Sequence, residues 1–130
     1  MTGLDTTVVV RLLVGEPVAQ ARRARTFLDE LFETGEQAAV SDLVVSEVYF
    51  ALHYHYQVPK AEALASLRSL LHSGEVKGTG AAPIVLKTKN LASAKPGFVD
   101  RLIHQGYAAE GQGMATFEKK SRRLAEVRVL

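Results

Sequence analysis

The chain contains no cysteine. Disulfides, zinc–thiolate sites and thiol nucleophiles are excluded together, and a reducing cytosol suits such a chain. No apolar run approaches a membrane span, because Val8-Val9-Val10 is followed at once by Arg11. The opening Met1-Thr2-Gly3 has neither a basic n-region nor an apolar h-region, so no secretory signal is expected and the expected location is cytoplasmic. Gly74 to Gly80 lacks the glycine and lysine spacing of a phosphate-binding loop. Ser41 and Ser46 lie in no glycine-flanked nucleophile elbow, which removes the usual serine hydrolase signature. His53 and His55 are two apart, so on one helix they diverge and cannot chelate together.

What is present is a chain of 130 residues, 47% hydrophobic and 23% charged. That suits a single domain over residues 1–130, large enough to bury a core without staples. The net charge of +2 and a pI near 9.0 permit nucleic-acid binding without demanding it. Basic residues cluster twice: Arg22, Arg23 and Arg25, then Lys119, Lys120, Arg122 and Arg123 directly after Glu118.

Short strands alternate with helical patterns. A brief strand closes at Leu4-Asp5, and Thr7 to Val14 is a dense apolar run. Pro17 suits the first turn of a helix with Ala21, Ala24, Leu28 and Leu31 inward, stopped by Gly35. Ala38-Ala39-Val40 reads as a strand, after which Ser41 or Asp42 caps a helix over 42–56. Pro59 opens a helix with Leu64, Leu67 and Leu71 inward, and 83–91 reads as another. The spacing of Val99, Leu102, Ile103 and Gly106 predicts a helix over 98–110. Strands at 114–116 and 127–130 flank a short helix at 119–125. The alternation predicts an α/β fold around a mainly parallel sheet.

Four acidic residues stand out against this pattern: Asp5, Glu47, Asp100 and Glu118. On a helix over 42–56 the apolar stripe would be Leu43, Val44, Phe50 and Ala51, with Glu47 in the same stripe. A carboxylate against a core costs several kcal/mol unless a cation, donors or a proton compensates it. Asp5 ends a strand, Asp100 falls in the first turn of its helix, and Glu118 follows the strand at 114–116. Ligands in such sheets gather beyond the carboxyl ends of the strands, so all four acids are expected at one edge. Acids gathered without matching bases suggest a divalent metal site.

The order and context of these acids resemble the PIN-domain ribonucleases, and within them the VapC toxins of toxin–antitoxin pairs. The likeness rests on Gly3-Leu4-Asp5-Thr6-Thr7-Val8, on Val40-Ser41 leading to Ser46-Glu47-Val48, on Phe98-Val99-Asp100-Arg101-Leu102-Ile103, and on Ala115-Thr116-Phe117-Glu118-Lys119-Lys120. It implies a three-layer sandwich, a short mainly parallel sheet flanked by helices. It also implies Mg²⁺ or Mn²⁺ held by Asp5, Glu47, Asp100 and Glu118, with Thr6 and Thr116 in support. The implied activity is hydrolysis of RNA phosphodiester bonds, with Arg22, Arg23, Lys119 and Lys120 steering the RNA backbone. A cognate antitoxin and a homodimer are the implied partners. Two positions depart from the pattern: Thr7 stands where the family usually has Asn, and Glu118 where it more often has Asp. The alternative is a catalytically impaired PIN-like module that binds antitoxin or RNA without cleavage. A receiver-like signalling domain ranks below both, because Asp5 is followed by Thr6 and Thr7 rather than by a second acid.

Overall fold

A computed structural model describes residues 1–130. Its centre is a three-stranded parallel sheet in the order β1 (Thr2–Gly3), β2 (Ala38–Val40), β3 (Val76–Gly78). The register pairs Thr2 with Ala38 and Gly3 with Ala39, then Ala38 with Val76 and Val40 with Gly78. β2 is buried along its whole length, as a central parallel strand covered on both faces should be. Helices α1 (Thr6–Val14) and α2 (Val18–Glu33) connect β1 to β2; α3 (Asp42–Phe50) and α4 (Lys60–His72) connect β2 to β3. After β3 come α5 (Ala82–Val85) and α6 (Phe98–Ala109). A separate parallel pair, β4 (Met114–Thr116) and β5 (Val127–Val129), ends the chain. The α/β class read from the sequence is the class observed.

The apolar run after Asp5 is α1. Its C-cap is Gly15 at φ 78°, whose N–H donates to the Arg11 carbonyl; only glycine adopts that backbone at little cost. Two helices differ from their sequence pattern. The helix expected over 42–56 passes at Ala51–His55 into a π turn, closed by the Tyr56 N–H donating to the Ala51 carbonyl at 3.0 Å. The helix expected over 83–91 is helical only to Val85. There the bonds tighten, Lys87 N–H to Ile84 and Thr88 N–H to Val85, and Asn90 takes a left-handed φ of 55°.

The face of α3 also differs. Val45, Val48 and Tyr49 are buried, whereas Leu43 is 69% and Phe50 43% exposed. The segment Leu43 to Leu52 is apolar almost all round, so two stripes about 100° apart were available. The chain buries the one that leaves Glu47 in solvent, which avoids the desolvation cost of a core carboxylate.

The core is one cluster of 22 buried residues, from Leu4 to Leu102. Leu64, Leu67 and Leu71 of α4 lie in it as their spacing predicts. Nothing beyond Leu102 belongs to it.

Candidate functional site

Asp5, Asp100 and Glu118 sit at element starts, and Glu47 lies in the second turn of α3. Asp5 is the N-cap of α1: its Oδ1 accepts the Val8 N–H at 3.1 Å and the Thr7 hydroxyl at 2.7 Å. The Thr7 hydroxyl, then the Val8 N–H, hold the Asp5 carboxyl below the usual carboxylate range, against a small opposing effect of burial. No neighbouring carboxylate contributes to that shift. Thr7, which replaces the family's usual Asn, therefore does orient Asp5. Both bonds go to Oδ1, and Asp5 is exposed.

Because β1 and β2 are parallel, Asp5 and the start of α3 emerge at the same sheet edge. Ser41 caps α3, accepting the Val44 N–H at 3.3 Å. Asp42 does something the sequence did not disclose. Its two carboxylate oxygens accept the N–H groups of Ala81 at 2.9 Å and Ala82 at 3.0 Å, which ties the β2–α3 turn to the start of α5. A Cβ at Gly80 would collide with that carboxylate. The run Gly80-Ala81-Ala82 was the available signal, small residues where a carboxylate approaches the backbone.

Glu47 is exposed, which corrects the expectation that it shares the buried stripe of α3. Tyr49 of α3 meets Phe98 of α6 edge-on, ring centroids 5.1 Å apart. Glu47 lies two residues before that contact and Asp100 two after it, about 200° around each helix. Both carboxylates consequently point away from the buried ring pair, and Asp100 is exposed as well. Glu118 caps the short 3-10 turn Lys119–Arg123, its Oε1 accepting the Lys120 N–H at 3.0 Å. Thr116 turns its hydroxyl to the Glu118 N–H, also at 3.0 Å. Thr6 opens α1 and is half-buried. Behind Glu118, the buried Ser121 leaves its hydroxyl without a partner.

In donor type these acids suit a hard cation, since Mg²⁺ and Mn²⁺ prefer oxygen ligands. In spacing they do not form a ligand group: no three His, Asp or Glu side chains come together closely enough to hold a metal ion. For Glu118, topology contributes. β4 pairs with β5 rather than with β1, so Glu118 is carried on a different sheet from Asp5.

A PIN-domain family model matches residues 4–127, nearly the whole chain. The chain belongs to the PIN-domain family. That membership points to nuclease-type function and to RNA as the class of substrate. Comparison with curated proteins and with solved structures finds no match.

The surrounding surface divides into two kinds. An open groove of about 550 Å³ between α3 and α6 is lined by Leu43, Ser46, Val99, Leu102, Ile103 and Tyr107, among others, and by none of the four predicted acids. The basic surface is elsewhere. Lys119, Lys120, Arg122 and Arg123 are all exposed on the turn after Glu118. On α2, Arg25 is neutralised by Asp29 at 2.7 Å and by Glu75. Arg22 and Arg23 form no salt bridge, but they do not share a groove. Arg23 lines a cleft with Gln20 and Phe27, while Arg22 lies beside Val18, Ala21 and Arg25. No helix is long and apolar enough to cross a membrane.

Proposed function

We propose that this PIN-domain chain is an endoribonuclease dependent on Mg²⁺ or Mn²⁺ and the toxin half of a toxin–antitoxin pair. The observation that carries the reading is Asp5: an exposed carboxylate just past the end of a parallel strand, held through Oδ1 by Thr7 and Val8. Asp100, Glu47 and Glu118 are its proposed companions. Mg²⁺ commonly takes only one or two carboxylates and completes its shell with water and substrate phosphate, so exposed acids beside an RNA surface suit it better than a closed cage would. Bound there, such an ion supplies an activated water and neutralises charge on the scissile phosphate. The residues do the rest: Asp5 stays ionised and oriented, and Thr116 fixes the backbone of Glu118. Arg22, Arg23, Lys119 and Lys120 draw the RNA backbone in, an attraction that salt weakens.

Exposed apolar groups support one partner surface. Leu43, Ile103 and Tyr107 are 69%, 50% and 45% exposed along one groove, the kind of patch that marks a protein interface. It supports a homodimer, with the antitoxin covering the acidic side.

Cleavage of a mixed RNA pool in Mn²⁺ that disappears in Asp5→Ala and in chelator is the expected result. Millimolar Mn²⁺ should also raise the melting temperature, and Asp100→Asn should blunt the rise. The second reading, an impaired binding module, is favoured by the separation of the acids. RNA that binds but stays intact in Mn²⁺ would select it.

A further inference from the structure

The cleft between α1 and α2 begins where the Asp5 cap ends. Thr7 belongs to both: its hydroxyl donates to Asp5 and its side of α1 lines the cleft. From α2 the lining residues are Gln20, Arg23, Ala24 and Phe27, a spacing of three, one and three that defines a single helix face. The open cleft has a volume of about 290 Å³.

Two features meet in this cleft. Its guanidinium groups are not neutralised. Arg11 donates its Nε only to the neutral Gln20, at 2.6 Å, and Arg23 has no carboxylate partner, whereas Arg25 on the next flank has two. Its wall also carries an aromatic ring 42% exposed, Phe27, one helical turn from Arg23. A planar cation and an open ring on one face match a chain that alternates anions with flat π systems. Unpaired bases stack on aromatic side chains while guanidinium groups take adjoining phosphates. An acidic peptide without aromatic side chains would engage Arg11 and Arg23 but give Phe27 no partner of its kind. A duplex keeps its bases stacked on one another and cannot use the ring.

We infer that the α1–α2 cleft binds single-stranded RNA, one base on Phe27 and neighbouring phosphates on Arg23 and Arg11, and leads the strand to Asp5. The inference rests on the ribonuclease reading for its choice of RNA, and adds the path and the recognition residues.

The test is fluorescence anisotropy of a labelled eight-nucleotide oligouridine with the full chain in chelator, so that cleavage plays no part. Phe27→Ala should weaken binding about five-fold or more and Phe27→Tyr should retain it. Arg23→Gln should weaken it and flatten the logarithmic salt dependence by about 0.7. The same RNA in a duplex should bind more weakly. Affinity unchanged in the Arg23→Gln, Phe27→Ala double variant overturns the inference, as does oligoglutamate competing as well as RNA. The ribonuclease reading fails separately, if this binding is intact and Mn²⁺ elicits no cleavage. Conversely, cleavage with an unaltered KM in the double variant overturns the cleft alone.

Discussion

Residues 1–102 and residues 103–130 are built on different physical terms. The first stretch holds every member of the core cluster, three paired strands and a clamp between two turns. The second buries a single side chain, Ser121, and leaves Phe117 79% and Leu130 64% exposed. Three of the four candidate acids belong to the first stretch and Glu118 to the second. Under the proposed function these acids act together, so the contrast concerns function as well as stability. Three are fixed by a packed body, and the fourth rides on a two-stranded ribbon whose only ladder is its own. Two-stranded units are marginal by themselves, and regions with few buried contacts open at low free energy.

The sharpest way to break this contrast is a matched pair of truncations. Leu64→Ala, deep in the core, should lower unfolding free energy by about 2–5 kcal/mol. Val127→Ala in the ribbon should lower it by about 1 kcal/mol or less. Equal losses in denaturant titrations would mean that the ribbon shares the core's cooperativity.

A smaller effect probes the clamp that unites the first stretch. Asp42→Ala leaves the Ala81 and Ala82 N–H groups without their acceptor, and about 1–3 kcal/mol should be lost. Amide exchange would then accelerate at Ala81 and Ala82 and not at Met114 or Leu130. Acceleration at both places would join the two regions.

The α3–α6 contact gives a pH-dependent test. Burial, followed by the proximity of Tyr54, raises the Tyr49 phenol above its ordinary value of 10.0. A raised folded value means stability that is intact below about pH 10 and lost as pH rises through the folded value. Tyr49→Phe should therefore flatten the alkaline loss of stability, followed by thermal melts from pH 8 to 11. An unchanged alkaline limb would place the loss in other groups.

The smallest effect belongs to the ribbon side. Ser121→Ala removes a buried hydroxyl that has no partner, so the melting temperature should hold or rise by the equivalent of about 1 kcal/mol or less. A clear fall would show that the hydroxyl bonds to ordered water.

Much of the fold was legible from local pattern. Leucine spacing marked α4, glycine and proline marked its ends, and Ala38-Ala39-Val40 was short and uniformly apolar as a central strand should be. The face of α3 was not legible. A segment apolar on nearly every side carries no rotational signal, and only packing against Phe98 and the sheet decides which valines go inward. Thr7 also escaped the local pattern. Read against the usual Asn it looked like a loss, yet its hydroxyl reaches the same carboxylate. Asp42 was readable as a cap but not as a clamp, because its partners lie about forty residues away.

By itself, then, the sequence determined most of the elements, their alternation, the α/β class and the placing of Asp5, Asp100 and Glu118 at element starts, because each of these depends on neighbours a few residues away. Tertiary structure alone decided how the acids are presented. Pairing β4 with β5 and not with β1, and turning Glu47 and Asp100 outward from the Tyr49–Phe98 contact, are choices made between distant segments. They follow from where the chain gains most by burying apolar surface and least by desolvating charge.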